Sequence, residues 1–241
     1  MDAELAKEIE NNYQIIQNSI VNACQRVGRN PKDVNLVVVS KRKPVESILA
    51  AYDAGARMFG ENYPEMAVPK IEALREKMDL EWHMIGHVQS RKAKLISGNF
   101  SLMHSLDSLK LAEKLDSLPI ESNGKQRVLL EVNVAGEISK GGWDASNPEN
   151  WYKIEEEFNK IIALPGLAVE GLMAMPPLNE NPQDSRPYFK KLRAFQDFLM
   201  GRTSEDYWKD LSIGTSSDYE VAIEEGARYV RVGQAILGRR I

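Results

Sequence analysis

Short apolar segments alternate with helical segments along nearly all of the 241 residues, and this pattern restricts the fold more than any other feature. It predicts parallel strands joined by right-handed helical crossovers. Eight such units favour closure into a barrel over an open sheet, and no glycine-rich dinucleotide motif follows any strand. The predicted strands are Val34–Ser40, Met58–Gly60, Glu81–Gly86, Leu102–Ser105, Arg127–Val134, Leu167–Met173, Trp208–Ile213 and Arg228–Val232. The fold class is therefore predicted as α/β, a single (β/α)8 barrel of the TIM type.

Helical patterns follow most of these strands, and one further helix precedes them. That first helix, Asp2–Arg29, has an apolar stripe of Ile9, Tyr13, Ile16, Ile20 and Cys24 at three- and four-residue spacing. The other predicted helices are Val45–Ala54, Pro64–Met78, Ser90–Ile96, Leu109–Leu115, Pro148–Ala163, Ser185–Met200 and Ser217–Glu225, and only a short piece, Gln234–Leu237, follows the last strand. We expect one domain over 1–241, with the helix in 1–29 packed on the barrel.

Composition limits the environment and the partners. A net charge of -4 gives no electrostatic reason to expect nucleic acid or a membrane as a partner. No segment approaches the ~20 apolar residues that span a bilayer. The single cysteine, Cys24, rules out a disulfide framework within the chain and suits a reducing compartment. A cytoplasmic protein is expected.

Side-chain parity on the last strand directs a cation into the barrel. In Arg228–Val232 the valines suit the helix-facing side, so Arg231 is expected to point inward. An interior guanidinium is costly unless it is paired. Arg231 is therefore expected to meet an anion, a ring nitrogen or a carboxylate, and a structural ion pair with Glu131 or Glu170 is the alternative.

The first strand ends in a group of cations, Ser40-Lys41-Arg42-Lys43-Pro44. The three cations lie at the C-terminal mouth of the strand, the end at which barrel enzymes have their active sites. Lys41 shares the parity of Val37 and Val39, so one face carries it or its neighbours inward. Neighbouring positive charge and partial burial both lower the pKa of a lysine and favour Schiff-base chemistry. The alternative is a solvated basic loop.

Two turns near the end of the chain suit a phosphate group. The turn at 212–218 and the turn at Val232-Gly233-Gln234 combine small residues and hydroxyls just before helices. Backbone N–H groups in such turns attract phosphate, and many barrels bind phosphate after strands seven and eight. Ser216 and Ser217 could instead serve only as helix caps.

Other polar residues are less informative. The three histidines, His83, His87 and His104, do not have the spacing of a metal site, and no metal is expected. Asn133 shares the parity of Glu131 on the fifth strand and is expected to face the same cavity.

Several segments together resemble a known family. They are Val38-Val39-Ser40-Lys41-Arg42-Lys43-Pro44, Phe59-Gly60-Glu61-Asn62-Tyr63, Trp82-His83-Met84-Ile85-Gly86-His87-Val88-Gln89, His104-Ser105-Leu106-Asp107, Ser139-Lys140-Gly141-Gly142, Gly171-Leu172-Met173 and Arg231-Val232-Gly233-Gln234-Ala235-Ile236-Leu237-Gly238. The chain resembles the pyridoxal phosphate homeostasis proteins from about Val34 to Arg239. These proteins are a fold-type III group related to the barrel domain of alanine racemase.

The resemblance assigns roles to individual residues. It implies that Lys41 forms a Schiff base with pyridoxal 5'-phosphate, and that Arg231 meets the pyridine nitrogen. It places Ser216, Gly233 and Gln234 at the phosphate. Asn62, His83 and Asn133 would lie near the ring or its substituents.

The chain departs from the family pattern near the phosphate. Ile213 and Thr215 replace methionines of the strand-seven turn, and Gln234 replaces a threonine whose hydroxyl would touch the phosphate.

The resemblance implies a carrier or regulator rather than a conventional catalyst, and we expect a monomer. Such a protein would hold the cofactor and keep vitamin B6 and amino-acid pools in balance, with free cofactor and apo-enzymes as partners. An arginine at the ring nitrogen disfavours a protonated pyridine and so weakens the ring as an electron sink. The alternatives are an amino-acid racemase that uses the same cofactor and a Schiff-base aldolase without it.

Overall fold

The structure is a computed structural model that describes residues 3–77, 79–119, 124–137 and 140–238. Predictions that involve residues 1–2, Met78, Ser139 or residues 239–241 lie outside the described residues.

A closed barrel of eight parallel strands forms the centre of the molecule. Its strands are β1 Asn35–Val39, β2 Met58–Glu61, β3 Glu81–Met84, β4 Leu102–Leu106, β5 Gln126–Asn133, β7 Leu167–Met173, β8 Asp210–Ser212 and β9 Tyr229–Val232. They are hydrogen-bonded in the order β4-β3-β2-β1-β9-β8-β7-β5, and the β4–β5 pairing closes the ring. Every predicted strand is present, and the prediction of a TIM-type barrel is confirmed.

Helices surround the barrel. They are α1 Ala3–Arg26, α2 Val45–Asp53, α3 Pro64–Ala73, α4 Leu109–Asp116, α5 Trp151–Ile162, α6 Arg186–Met200, α7 Tyr219–Glu224 and α8 Gln234–Leu237. Among the described residues, no helix is both long enough and apolar enough to cross a membrane.

Three connections differ from the prediction. The predicted helix Ser90–Ile96 is a 3-10 helix at Ser90–Leu95, in which only Ala93 is buried, so the segment has no wide apolar face to support an α-helix. The helix predicted from Pro148 begins as a 3-10 turn before α5. The predicted loop Ala135–Asn147 contains a two-residue strand, β6 Trp143–Asp144, that pairs with β5.

Alternating side chains separate the inside of the barrel from the outside. Val37, Leu102, Leu129, Met173 and Tyr229 form an interior cluster. Side chains of the opposite parity pack in the larger core beneath the helices, as Val38, Val230 and Val232 do. Arg231 has the parity of Tyr229, so the prediction that it points inward is confirmed.

The N-terminal helix α1 packs across α2, α7 and α8. Its buried face contains the predicted stripe with the addition of Ala23. Just beyond the helix, Arg29 donates hydrogen bonds to the carbonyls of Ile223 (2.6 Å) and Ala227 (2.9 Å). These bonds satisfy carbonyls at the C-terminal end of α7 and fix this helix against the barrel.

Candidate functional site

A cavity of about 480 Å³ opens at the C-terminal ends of the strands. This volume is typical of a site for a small molecule. Of the eight predicted site residues, six line it: Lys41, Asn62, Ser216, Arg231, Gly233 and Gln234. Val39 and Ile85 contribute apolar wall. With Met175 and Leu178, which also line the cavity, the structure brings together residues from six separate segments of the sequence.

Lys41 lies in a tight turn directly after β1. The Lys43 N–H donates to the Ser40 carbonyl (3.0 Å), and Arg42, at the third position of the turn, has a φ of 59°. A positive φ at this position is usually occupied by glycine, so the turn is strained. The strain points to a constraint on where the flanking Lys41 and Lys43 side chains lie, and both line the cavity.

A buried ion pair anchors the base of this turn. The Glu61 carboxylate lies 2.7 Å from Lys70 Nζ and accepts a hydrogen bond from Ser40 Oγ (2.8 Å). Lys70 Nζ also donates to the Ser40 carbonyl (3.1 Å). Because these bonds link β1 to β2 and α3, the residue that precedes Lys41 is fixed from three elements.

Arg231 brings a positive charge into the interior without a carboxylate partner. Its side chain donates to Ser212 Oγ (2.5 Å) and to the Ala174 carbonyl (3.1 Å), and the residue is 4% exposed. Among the described residues, no carboxylate lies within ion-pair distance of Arg231. Glu170 pairs with Arg127 instead (2.7 Å), and Glu131 takes part in no ion pair. The alternative of a structural ion pair is therefore wrong. Burial lowers the pKa of Arg231 to about 10, against the opposing effect of Glu131.

The two turns predicted for phosphate lie side by side on the cavity wall. Asp218 accepts from the backbone N–H (2.7 Å) and the hydroxyl (3.1 Å) of Thr215, which shapes the first turn. The Gly233 N–H donates to Ser216 Oγ (3.3 Å), so the two turns are in contact. A Cβ on Gly233 would lie 3.1 Å from Val39 Cβ, and this leaves little room for any other residue. Since α7 and α8 are short, individual N–H and hydroxyl donors are the features that suit an anion here.

One polar atom in the cavity has no partner. Asn62 lines the cavity, and its Oδ1 is buried without a hydrogen bond among the described residues. The backbone beside it is tightly packed, since a Cβ on Gly86 would lie 2.5 Å from the Asn62 carbonyl oxygen. Buried polar atoms are normally satisfied. An unsatisfied Oδ1 on a cavity wall therefore suits a ligand that supplies a donor.

Two predicted site residues do not line the cavity. His83 is fully buried in the barrel interior and bonds to His104 (2.8 Å). Asn133 is engaged in its own loop, since its Oδ1 accepts from the Ala135 and Gly136 N–H groups and its Nδ2 donates to Glu137. Within the described ranges, no group of three or more His, Cys, Asp or Glu side chains could hold a metal ion.

Several lining residues were not predicted as site residues. Thr215 and Ser217 flank Ser216 in the predicted phosphate turn, so their position in the turn could have suggested them. Lys43 follows Lys41 by two residues, so parity could have suggested it. Burial lowers the pKa of Lys43. Met175 and Leu178, in the loop after β7, form an exposed apolar rim, with Leu178 86% exposed. No signal in the sequence distinguishes this loop from an ordinary barrel loop.

The family of the chain follows from comparison with known proteins. The model of the family described as "Alanine racemase, N-terminal domain" matches residues 7–240. The chain belongs to this family. Within it, a pyridoxal phosphate homeostasis protein of Aquifex aeolicus is 44% identical, over 92% of this chain and 93% of its own length.

Solved structures agree with this assignment. PipY of Synechococcus elongatus, solved with pyridoxal phosphate bound, superposes with a TM-score of 0.77 at 32% identity, covering 91% of this chain and all of that one. An alanine racemase of Corynebacterium glutamicum superposes with a TM-score of 0.69 at 15% identity. This chain covers 60% of the racemase, and at that identity the likeness concerns the fold alone.

Proposed function

We propose that this protein binds pyridoxal 5'-phosphate in the cavity at the mouth of the barrel and acts in the homeostasis of vitamin B6 and amino acids. The observation that carries the proposal is the meeting of a lysine, an unpaired interior arginine and two donor-rich turns in one cavity. A molecule with an aldehyde, a ring acceptor and a phosphate matches these three parts. PipY, which is solved with this cofactor, supports the proposal.

Each part of the cavity has a separate task. The amine of Lys41 condenses with the cofactor aldehyde and releases water, which gives a Schiff base. Arg231 donates to the ring nitrogen and keeps it unprotonated. Ser216 and the Gly233 N–H lie at the phosphate, and Gln234 and Thr215 add donors on the same wall. Asn62 accepts a hydrogen bond from a ring substituent through the oxygen that otherwise has no partner.

The bound cofactor supplies a reactive aldehyde, and the protein's residues favour holding it over turning it over. A cation at the ring nitrogen opposes the protonated ring that strong electron withdrawal needs. We therefore propose a monomeric cytoplasmic carrier or regulator whose single barrel spans 1–241, with free cofactor and apo-enzymes as its partners. His83 acts behind Arg231 rather than at the ring, and Asn133 shapes its own loop.

The absorption spectrum of the purified protein, before and after borohydride reduction, tests the proposal. We expect a visible band that borohydride bleaches and a reduced adduct that fragmentation mass spectrometry assigns to Lys41. Lys41→Ala should lose the adduct at that position. Lys209→Ala should keep it, because the Lys209 side chain is 64% exposed and does not line the cavity.

The same preparation separates the alternatives. A protein that stays colourless with excess cofactor contradicts the proposal and favours an aldolase-like barrel. Rapid racemization of added L-alanine by the coloured protein would instead favour a racemase.

A further inference from the structure

A chain of hydrogen bonds runs through the barrel interior behind Arg231. His83 Nδ1 lies 2.8 Å from His104 Nε2, and His104 Nδ1 lies 2.7 Å from Ser212 Oγ. Ser212 Oγ in turn accepts from Arg231 Nη1. At the other end, His83 Nε2 lies 3.6 Å from the Glu81 carboxylate, whose side chain is 43% exposed. The hydrogen bonds thus run from the cavity to His83, whose Nε2 has no hydrogen-bond partner among the described residues.

The direction of the hydrogen bonds follows from Arg231 at one end of the chain and from the Glu81 carboxylate near its other end. A guanidinium only donates, so Ser212 Oγ accepts from it and can give its own hydrogen to His104 Nδ1. His104 then donates from Nε2 to His83 Nδ1, and His83 Nε2–H points toward the Glu81 carboxylate. In the opposite direction the His83 Nε2 lone pair would face a carboxylate, which is unfavourable. This direction assigns the Nε2–H tautomer to both imidazoles, and burial, which lowers their pKa values, favours their neutral forms.

A competing partner for Arg231 lies nearby. Glu131, on the inner face of β5, pairs in register with Met173, the residue before the Ala174 whose carbonyl accepts from Arg231. The charge of Glu131 raises the pKa of Arg231. Burial, and next the charge of Asp107, raise the pKa of Glu131 to about 7, while Arg231 and His87 lower it. Arg231 and Glu131 nevertheless form no ion pair, because both ends of the guanidinium are held by Ser212 and the Ala174 carbonyl.

We propose that Ser212, His104 and His83 are positioning residues that hold Arg231 toward the cavity and away from Glu131. The proposal rests on the proposed function, in which the guanidinium must reach a ring acceptor rather than a carboxylate. Without the Ser212 hydroxyl, the Arg231 guanidinium loses a hydrogen-bond acceptor at a fully buried position. A buried donor without an acceptor is costly, so pairing with Glu131 becomes the more favourable arrangement. The cavity would then lose its unpaired donor.

The chain offers a matched pair of serines for the test. Ser212 and Ser105 are both fully buried on barrel strands. Ser105 Oγ donates to the Gly86 carbonyl (2.6 Å), and no hydrogen bond joins it to Arg231 or to the histidines. Ser212→Ala and Ser105→Ala therefore remove the same group at equal burial, and only the first breaks the chain.

The first measurement uses protein without cofactor. Carbon-13 NMR of the glutamate carboxyl groups should show a lower pKa for Glu131 in Ser212→Ala than in the wild type, because Arg231 now pairs with it. Ser105→Ala should leave that pKa unchanged. A Glu131 pKa that is the same in all three proteins overturns the proposal. Should Ser212→Ala not fold, nitrogen-15 NMR of wild-type histidines decides, since an Nδ1–H tautomer at His104 contradicts the direction on which the proposal rests.

The second measurement adds pyridoxal phosphate. Its affinity should fall about tenfold or more in Ser212→Ala, as expected for misplacing one charged hydrogen bond, with a shifted absorption maximum. Ser105→Ala should match the wild type in both readouts. Equal affinity in the two variants counts against the positioning role. If the wild type itself binds no cofactor, the proposed function fails, while the Glu131 titration still decides the positioning of Arg231.

Discussion

Two arginines occupy opposite ends of the barrel interior, and their surroundings differ. Arg127, near the N-terminal ends of the strands, forms two hydrogen bonds with the Glu170 carboxylate (2.7 and 2.9 Å). This pairing raises the pKa of Arg127, whereas burial without a carboxylate partner lowers that of Arg231 to about 10. The charge of Arg127 is balanced by a carboxylate of the protein. The charge of Arg231 is not, so Arg231 suits an acceptor that a ligand supplies. The comparison indicates which end of the barrel stabilises the fold and which end binds.

Replacing each arginine by methionine should give the largest difference between the two ends of the barrel, in how strongly pyridoxal phosphate stabilises the folded protein. A ligand at a thousand times its Kd stabilises the folded state by about 4.1 kcal/mol. We expect Arg231→Met to lose most of that stabilisation by pyridoxal phosphate, because the donor to the ring is gone. Arg127→Met should keep it, although the protein without ligand becomes less stable once Glu170 has no partner.

Urea unfolding of each variant, with and without cofactor, measures both effects. The comparison fails if Arg127→Met loses the cofactor response while Arg231→Met retains it.

A second prediction concerns the histidines that support only the unpaired arginine. Burial lowers the pKa values of His83 and His104 below the ordinary value for histidine. The unfolded chain therefore binds more protons than the folded protein below about pH 6.5. The stability that the two neutral histidines contribute is present above that pH and is lost as the pH falls. At pH 5.5 each histidine that stays neutral in the folded protein lowers the free energy of unfolding by at most about 1.4 kcal/mol, relative to its value at high pH.

The difference in unfolding free energy between the wild type and His104→Gln should accordingly shrink on going from pH 7.5 to 5.5. The difference between the wild type and Arg127→Met should stay nearly constant, because the Arg127 guanidinium, whose pKa is raised by the pair with Glu170, keeps its charge throughout that range. A constant difference for His104→Gln would mean that His104 titrates with the same pKa in the folded and the unfolded protein, and this would contradict the lowering of its pKa by burial.

Most of the fold could be predicted from the sequence, because strand and helix periodicities are local. The inward direction of Arg231 followed from parity alone. Its acceptors, Ser212 and the Ala174 carbonyl, lie on β8 and just beyond β7, and no local pattern relates these strands to β9. For the same reason the sequence could not assign Glu170 to Arg127 rather than to Arg231.

The site was predictable where residues follow strand ends, and less so within strands. Lys41, Ser216 and Gly233 follow β1, β8 and β9, and all three line the cavity. His83 lies within β3, one layer below the mouth, and therefore contacts His104 instead. Asn133 ends β5, but its amide bonds to the loop that follows it, a local competition that parity does not reveal.

The smallest effect on stability is expected from replacing Glu131, the carboxyl group near Arg231, and Glu170, the carboxylate that pairs with Arg127. Glu131 has a pKa of about 7 in the folded protein, above that of an unfolded glutamate, so its contribution to stability declines as the pH rises from about 4.5 to 7. Glu131→Gln should therefore stabilise the protein at pH 8 by about 1 kcal/mol, a figure reduced from the full shift because the residue is only part-buried. Glu170→Gln should destabilise it at the same pH by breaking the pair with Arg127. Urea unfolding at pH 5 and 8 compares the two variants. Opposite signs at pH 8 sharpen the distinction between the two ends, whereas destabilisation by both would mean that the Glu131 carboxylate is stabilised by pairing with Arg231.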